Sequence, residues 1–439
     1  MELKDIFLIP IYFLLILFIA SRLKPYFTNK YTAKFFIPAL IAKLLGALAL
    51  GLIYQFYYHG GDTLNYFYDA QRLAHSFSQD KEATFRVFFY LDENMDARYM
   101  AVRGGLWYYK DPASFFVVRT IFLFGLLCFH SYGAIALLFA TVSFSGVWIL
   151  YYTFCFLKPH LYKWFAYVIL FMPSIIFWGS GIMKDTLCIA ALGWFFYACY
   201  RIIYKNSISA STIIILGISM FFLINLKIYI LLCFFPSALY WFFLEKTNFS
   251  NKNIKLFLRP FLLIFGLTIT VFALSKFAES TEKYNMEAIA TTSQVTSSYL
   301  LQVSNRENGS GYSLSTSFDG SISSLVKLIP EAVIVTYFRP FLWEAKNPVM
   351  LISAFEGLAA LMLTLATFFM IIKNNIKLLF SPPSFVAISL IFAVLFGTAI
   401  GMSTYNFGTL VRYKIPALPF FFGALITLFF AAKERVKQR

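Results

Sequence analysis

The amino-acid sequence predicts an all-α fold, a polytopic transmembrane helical bundle, and three observations carry that prediction. Of the 439 residues, 60% are hydrophobic and only 13% charged, against roughly 45–50% and 25% in soluble domains. The apolar residues fall in long blocks, at 35–57, 131–156, 182–204 and 348–372, each long enough to cross a hydrocarbon layer of ~30 Å as a helix. The short alternating segments of a membrane β-barrel are absent from the sequence. Backbone amides find no water in lipid, so the blocks must be helical.

Taken in order, residues 6–21 form the first apolar run. No small-residue cleavage site follows it, so it reads as the first transmembrane helix and not as a leader. Residues 21–34 hold Arg22, Lys24, Lys30 and Lys34 and no acid, which marks a cytoplasmic stretch. Stretches 246–259, 373–377 and 433–439 are also basic, the last with one acid, Glu434. Helix 35–57 then runs outward. The polar region 58–114 becomes a first external loop with interfacial helices, and 276–347 a second, with a short outer segment at 403–417. Eight of the 21 acidic residues fall in the first loop and seven in the second. Block 115–132 is short and carries Arg119, so it either crosses or lies in the interface. Block 164–180 is interrupted by Pro173. Lengths of this kind give about 11–13 helices. The chain reads as a single transmembrane domain, 1–439, in the cytoplasmic (inner) membrane, with its C-terminus in the cytoplasm.

The net charge of +16 is topogenic on this reading. The basic residues are scattered between apolar blocks and not gathered on one soluble face, which excludes nucleic acid as a partner and leaves membrane lipids. All five cysteines lie in apolar blocks and the four histidines are far apart, so neither a disulfide framework nor a zinc motif is expected. No Walker loop, Rossmann glycine pattern or HExxH is present.

Four polar stretches carry the chemistry. The first loop opens YYHGGDTLNYFYDAQRLA. Gly60 and Gly61 free the backbone for a sharp turn, which sets Asp62 at the water–lipid boundary. Asp62 is either the N-cap of a helix over 63–74 or a general base at the mouth of a membrane cavity. Tyr66 and Asp69 follow, Asp69 with the pattern of a solvated helix residue. Further on, Arg86, Arg98, Arg103 and Lys110 alternate with aromatics, as in an interfacial belt or a surface that grips a lipid-linked substrate. The second stretch, FMPSIIFWGSGIMKDTL, breaks a helix at Pro173 and starts another at Lys184 and Asp185. A charge pair beside a broken helix lines a cavity or snorkels, and a helix N-terminus with a lysine suits a phosphate. The third, VTYFRPFLWEAKN, holds Arg339 and Glu344. The fourth, YNFGTLVRYKIPALPFF, holds Arg412 and Lys414. Both lie on the outer side in this topology, against the positive-inside bias. They clamp a phosphate or pair with loop acids and lipid. The Ser-, Gly- and Asn-rich stretch 293–324 reads as a loop that could cover a site.

At these four stretches the sequence resembles the multi-pass, lipid-linked-sugar glycosyltransferases of the GT-C superfamily and the related polysaccharide polymerases. GGDTLNYFYDA resembles the acidic motif of their first external loop. PSIIFWGSGIMKD, FRPFLWEAKN and GTLVRYKIPALPFF resemble their Lys- and Arg-containing segments. The resemblance implies a GT-C-like bundle that transfers a sugar from a polyprenyl-phosphate-linked donor to a glycan acceptor at the outer face. Asp62 would be the catalytic base. Arg412 would contact the lipid phosphate, and Tyr66, Asp69, Lys184, Asp185, Arg339, Glu344 and Lys414 would line the substrate site. The chain departs from the family pattern in an extra helix before the acidic loop, and in a single acid in GGDT, which leaves open whether Mg²⁺ or no cofactor is used. Two other readings stand beside it. A polymerase joining lipid-linked repeats would lean on Arg339 and Arg412. A flippase or transporter would need cations deep in several helices, and no inverted repeat is visible.

Overall fold

The computed structural model describes residues 3–91, 96–246, 311, 312, 314 and 322–437. Among the described residues the chain is helical, and extended pairing is limited to an isolated antiparallel bridge between Gly311 and Asn406. The helices are α1 (Leu3–Phe27), α2 (Ala33–Phe56), α3 (Asp62–Gln79), α4 (Lys81–Phe88), α5 (Ala97–Gly104), α6 (Pro112–Leu127), α7 (Tyr132–Leu157), α8 (Tyr162–Phe165), α9 (Pro173–Phe177), α10 (Lys184–Ile203) and α11 (Ala210–Lys246). After the gap come α12 (Ile322–Phe338), α13 (Pro348–Asn374), α14 (Lys377–Phe380), α15 (Ser384–Gly401), α16 (Phe407–Tyr413) and α17 (Leu418–Lys437).

Seven described helices are long and apolar enough to cross a membrane: α1, α2, α7, α10, α11, α13 and α15. The pair α16–α17, bent by 68° at its break, is an eighth if taken as one span. The sequence suggested about 11–13 over the whole chain, of which residues 247–310 lie outside the described ones; among the described residues part of the difference has physical sources. Block 115–132 is α6, whose 16 residues reach about 24 Å at 1.5 Å each, short of the ~30 Å core. Block 164–180 is broken into α8, a π-helical stretch Ala166–Leu170 and α9. The 37 residues of α11 would make a straight rod of about 55 Å, but Lys227, at φ −149° and ψ 77°, breaks it. The basic stretch 247–259 and most of the expected second external loop, 276–310, lie outside the described residues.

By internal contacts the chain divides into two compact units. One comprises Met1–Tyr152, Ile175–Phe195 and Gly217–Ile228, the other Thr153–Ser174, Phe196–Leu216 and Tyr229–Arg439. In the first unit α7 and α10 touch backbone to backbone. A Cβ on Gly146 would lie 2.2 Å from the Ala190 carbonyl oxygen, and one on Gly193 would lie 2.0 Å from that of Gly146. Without a hydrophobic drive between helices in lipid, such close approach supplies the packing energy. Gly146→Leu is therefore expected to destabilise the unit by about 1–3 kcal/mol or more through overpacking, read as a lower melting midpoint in detergent. Asp5 of α1 caps α7, accepting from the Gly133 amide at 3.1 Å and from the Ser131 hydroxyl.

The second unit has an aromatic core. Phe196 stacks on Trp241 at 5.6 Å between centroids, and Phe392 meets Phe234 and Phe420 at 5.0 Å each. Residues 322–338, read from sequence as part of a loop, are the helix α12, antiparallel to α15. The Thr336 hydroxyl donates to the Gly397 carbonyl at 2.7 Å and Tyr337 to that of Ala393 at 2.6 Å, while Gly401 lies against the Ala332 carbonyl.

Candidate functional site

The first unit gathers the acidic loop. Gly60 and Gly61 have φ of 156° and 115°, conformations that cost an L side chain steric strain. A Cβ on Gly61 would also come within 2.7 Å of the Tyr54 ring. Gly61, not Asp62, is the residue that precedes the first turn of α3. Asp62 is the first helical residue, half-buried, where the helix dipole favours its charge. Tyr66 and Asp69 follow on the same face, four and seven residues on.

Asp69 is not a solvated residue. It is fully buried and accepts from the amides of Trp107 and Tyr108 at 3.2 and 2.8 Å and from Arg72 Nη1 at 2.9 Å. Its carboxylate holds the 107–108 backbone. Tyr66 is buried against Tyr108, with ring centroids 4.8 Å apart, and its hydroxyl lies 3.5 Å from Ser114 Oγ. Tyr108 thus sits amid this face. Burial pushes its phenol up; a hydrogen bond with Asn65 opposes that, and the charges of Asp62, Asp69 and Asp111 push it further up.

The broken helix brings three lysines together with different fates. Lys43 of α2 is buried and donates to the carbonyls of Ile175 and Gly179 at 2.8 and 2.7 Å and to Ser143 Oγ at 3.0 Å. Lys227, at the kink of α11, pairs with Asp185 Oδ1 at 2.5 Å, with side chains 7% and 2% exposed. Lys184 and Asp185, read as a pair, face different partners. Lys184 reaches Asp111 Oδ2 at 3.1 Å, with side chains 20% and 53% exposed. Of the three ammonium groups, only that of Lys184 is both partly open and matched to an acid that water reaches. Lys184 is therefore the one able to exchange its partner for an incoming anion, while Asp185 is locked. Asp111 also caps α6, taking the Ala113 amide at 3.2 Å and the Ser114 hydroxyl. Burial alone would raise its carboxyl; the Ser114 hydroxyl and the Lys184 charge outweigh burial and hold it below the usual carboxylate range. The pair therefore persists at neutral pH and is released only as pH falls below that range.

The second unit holds the remaining expected residues. Arg339 binds Glu344 through Nε at 3.1 Å to each oxygen and through Nη2, and its guanidinium lies 5.0 Å from the Phe407 ring centroid. Burial would raise the Glu344 carboxyl, but Arg339 and the Phe341 amide hold it down. The Arg339–Glu344 fork is thus satisfied internally, a pairing that sequence reading left open. Lys414 is buried at the bend between α16 and α17 and donates to the Arg339 carbonyl at 3.3 Å. Its charge faces Glu356 of α13, which accepts from the Ser174 amide at 2.7 Å and from its hydroxyl. Arg412, half-buried on α16, lies over the Tyr413 ring at 5.2 Å.

Lys43, Asp111, Lys227 and Glu356 are left out of the sequence reading, and Tyr108 enters it only as one of the first-loop aromatics. A signal existed for three of them. Lys43, Lys227 and Glu356 are lone charges inside long apolar blocks, where an ionisable group marks a partner or a site. Among the described residues no three His, Cys, Asp or Glu side chains are placed to hold a metal ion, and the five cysteines are free thiols. Comparison with protein-family models, curated proteins and solved structures finds no match. The class that fold and composition define is a multi-pass α-helical membrane protein.

Proposed function

We propose that the chain is a GT-C-like membrane glycosyltransferase. It transfers a sugar from a polyprenyl-phosphate-linked donor to a glycan acceptor at the outer face of the bacterial cytoplasmic membrane, in cell-surface polysaccharide assembly. The observation that carries this reading is the series Asp62, Tyr108, Asp111 and Lys184. It combines a half-buried acid at a helix start with an exchangeable lysine at the head of a second helix, both electrostatically or directly tied to one loop. In the reaction Asp62 accepts the proton of the acceptor hydroxyl. That oxygen bonds to the anomeric carbon, the bond from that carbon to the phosphate oxygen breaks, and the electron pair leaves with the lipid phosphate. Lys184, freed from Asp111, offsets the charge that develops there.

The polymerase reading is weaker because Arg339, on which it leans, is already neutralised by Glu344. The lipid-linked glycans that accumulate when the gene is deleted separate the readings. A glycan one sugar short supports a transferase. Intact single repeats would mark a polymerase, and finished glycans confined to the inner leaflet a flippase. Lys184→Gln is expected to lower kcat about a hundredfold, the scale of losing one charge-stabilising donor, measured as initial rates with a labelled polyprenyl-phosphate sugar.

A further inference from the structure

We infer that Lys43 is a positioning residue for Lys184, acting through the loop between α9 and α10; the inference rests on the glycosyltransferase reading above. Breaking a helix at membrane depth frees carbonyl groups that lipid cannot satisfy. Lys43 answers two of them. An ammonium has three protons, and here all three are spent, on Ile175 O, Gly179 O and Ser143 Oγ. Ser143 Oγ in turn donates to Gly179 O at 2.5 Å, so that carbonyl receives two donors from two helices, α2 and α7.

Steric contacts reinforce the clamp. A Cβ on Gly46 would lie 2.2 Å from the Ile176 carbonyl oxygen, and one on Gly181 would lie 2.7 Å from Leu50 Cδ2. The α2 helix therefore grips α9 at 175 and 176 and the loop at 179 and 181, and Lys184 begins α10 three residues later. A hydrophobic residue at position 43 would suit a membrane span better than a buried charge. What a lysine adds is a fixed loop, and a fixed loop sets where the Lys184 ammonium stands. A shift of about 1 Å in such a group can cost as much as a hundredfold in rate.

A mutant cycle tests this with Lys43→Met and Lys184→Gln. Lys43→Met is expected to lower kcat/KM for the polyprenyl-phosphate sugar about tenfold in the wild-type background, but less than about twofold when Lys184 is already Gln. Ser143→Ala, which removes the bond accepted from Lys43 and the one donated to Gly179 but leaves Lys43 on both carbonyls, shows the same pattern more weakly and serves if Lys43→Met does not fold. Hydrogen exchange gives a readout free of activity. Amides 179–184 exchange faster in either variant, while those of 187–200 do not. Equal losses in both backgrounds, or unchanged exchange at 179–184, overturn the inference. A wild-type chain that transfers no sugar overturns the glycosyltransferase reading instead, and exchange still decides whether Lys43 holds the loop.

Discussion

Asp62→Asn is expected to lower sugar transfer by about a hundred- to ten-thousandfold, the range a positioned general base contributes, while the amount of folded protein in the membrane stays the same. The substitution keeps the shape of the side chain and removes only its charge and proton-accepting capacity. What the fold loses is small. Asp62 is in the first turn of α3, where a negative charge is worth about 0.3–1 kcal/mol against the helix dipole. The turn that delivers it is set by Gly60, Gly61 and the Tyr54 ring. A large loss of rate with an unchanged melting midpoint is thus a chemical effect. The measurement is the initial rate of transfer from a labelled polyprenyl-phosphate sugar in detergent, with size-exclusion yield as the control. Full activity in Asp62→Asn would remove this residue from the mechanism and leave Tyr108 and Lys184 to be explained otherwise.

The helical membrane class was legible because lipid allows few alternatives to a long apolar block. The break at Pro173 and the turn at Gly60–Gly61 were legible for a similar reason: proline and glycine act through their own backbone. The kink at Lys227 was not, since no proline or glycine flanks it in NLKIYILL. It arises where a lysine in an apolar run must reach Asp185, a partner 42 residues away. Asp69 was misread because its acceptor role depends on backbone amides 38 and 39 residues on, which no local pattern reveals. Lys184 and Asp185 read in the sequence as one charge pair, whereas each pairs elsewhere. Adjacent residues on a helix point about 100° apart, so each looks to a different neighbour. The sequence therefore exposed which charges resist burial, and the tertiary fold decided which of them are spent.

The Asp185–Lys227 pair carries the largest expected effect on stability. Both side chains are nearly inaccessible, so removing one leaves an uncompensated charge away from water. Asp185→Ala is expected to destabilise the first unit by about 3–5 kcal/mol, the cost of breaking a buried pair. Lys227→Met should cost less, because Asp185 stays in the first turn of α10, where free amides and the helix dipole favour a carboxylate. The double variant Asp185→Ala, Lys227→Met should recover most of the loss, since neither charge then remains in a low-dielectric site. Melting midpoints in detergent for the two single variants and the double give the coupling directly. Strict additivity would mean that the pair contributes nothing beyond its members, and that the kink in α11 is set by packing alone. Strong coupling would mean that a non-helical residue in the middle of α11 is held open by one carboxylate, which also ties the start of α10, one residue from Lys184, to that kink.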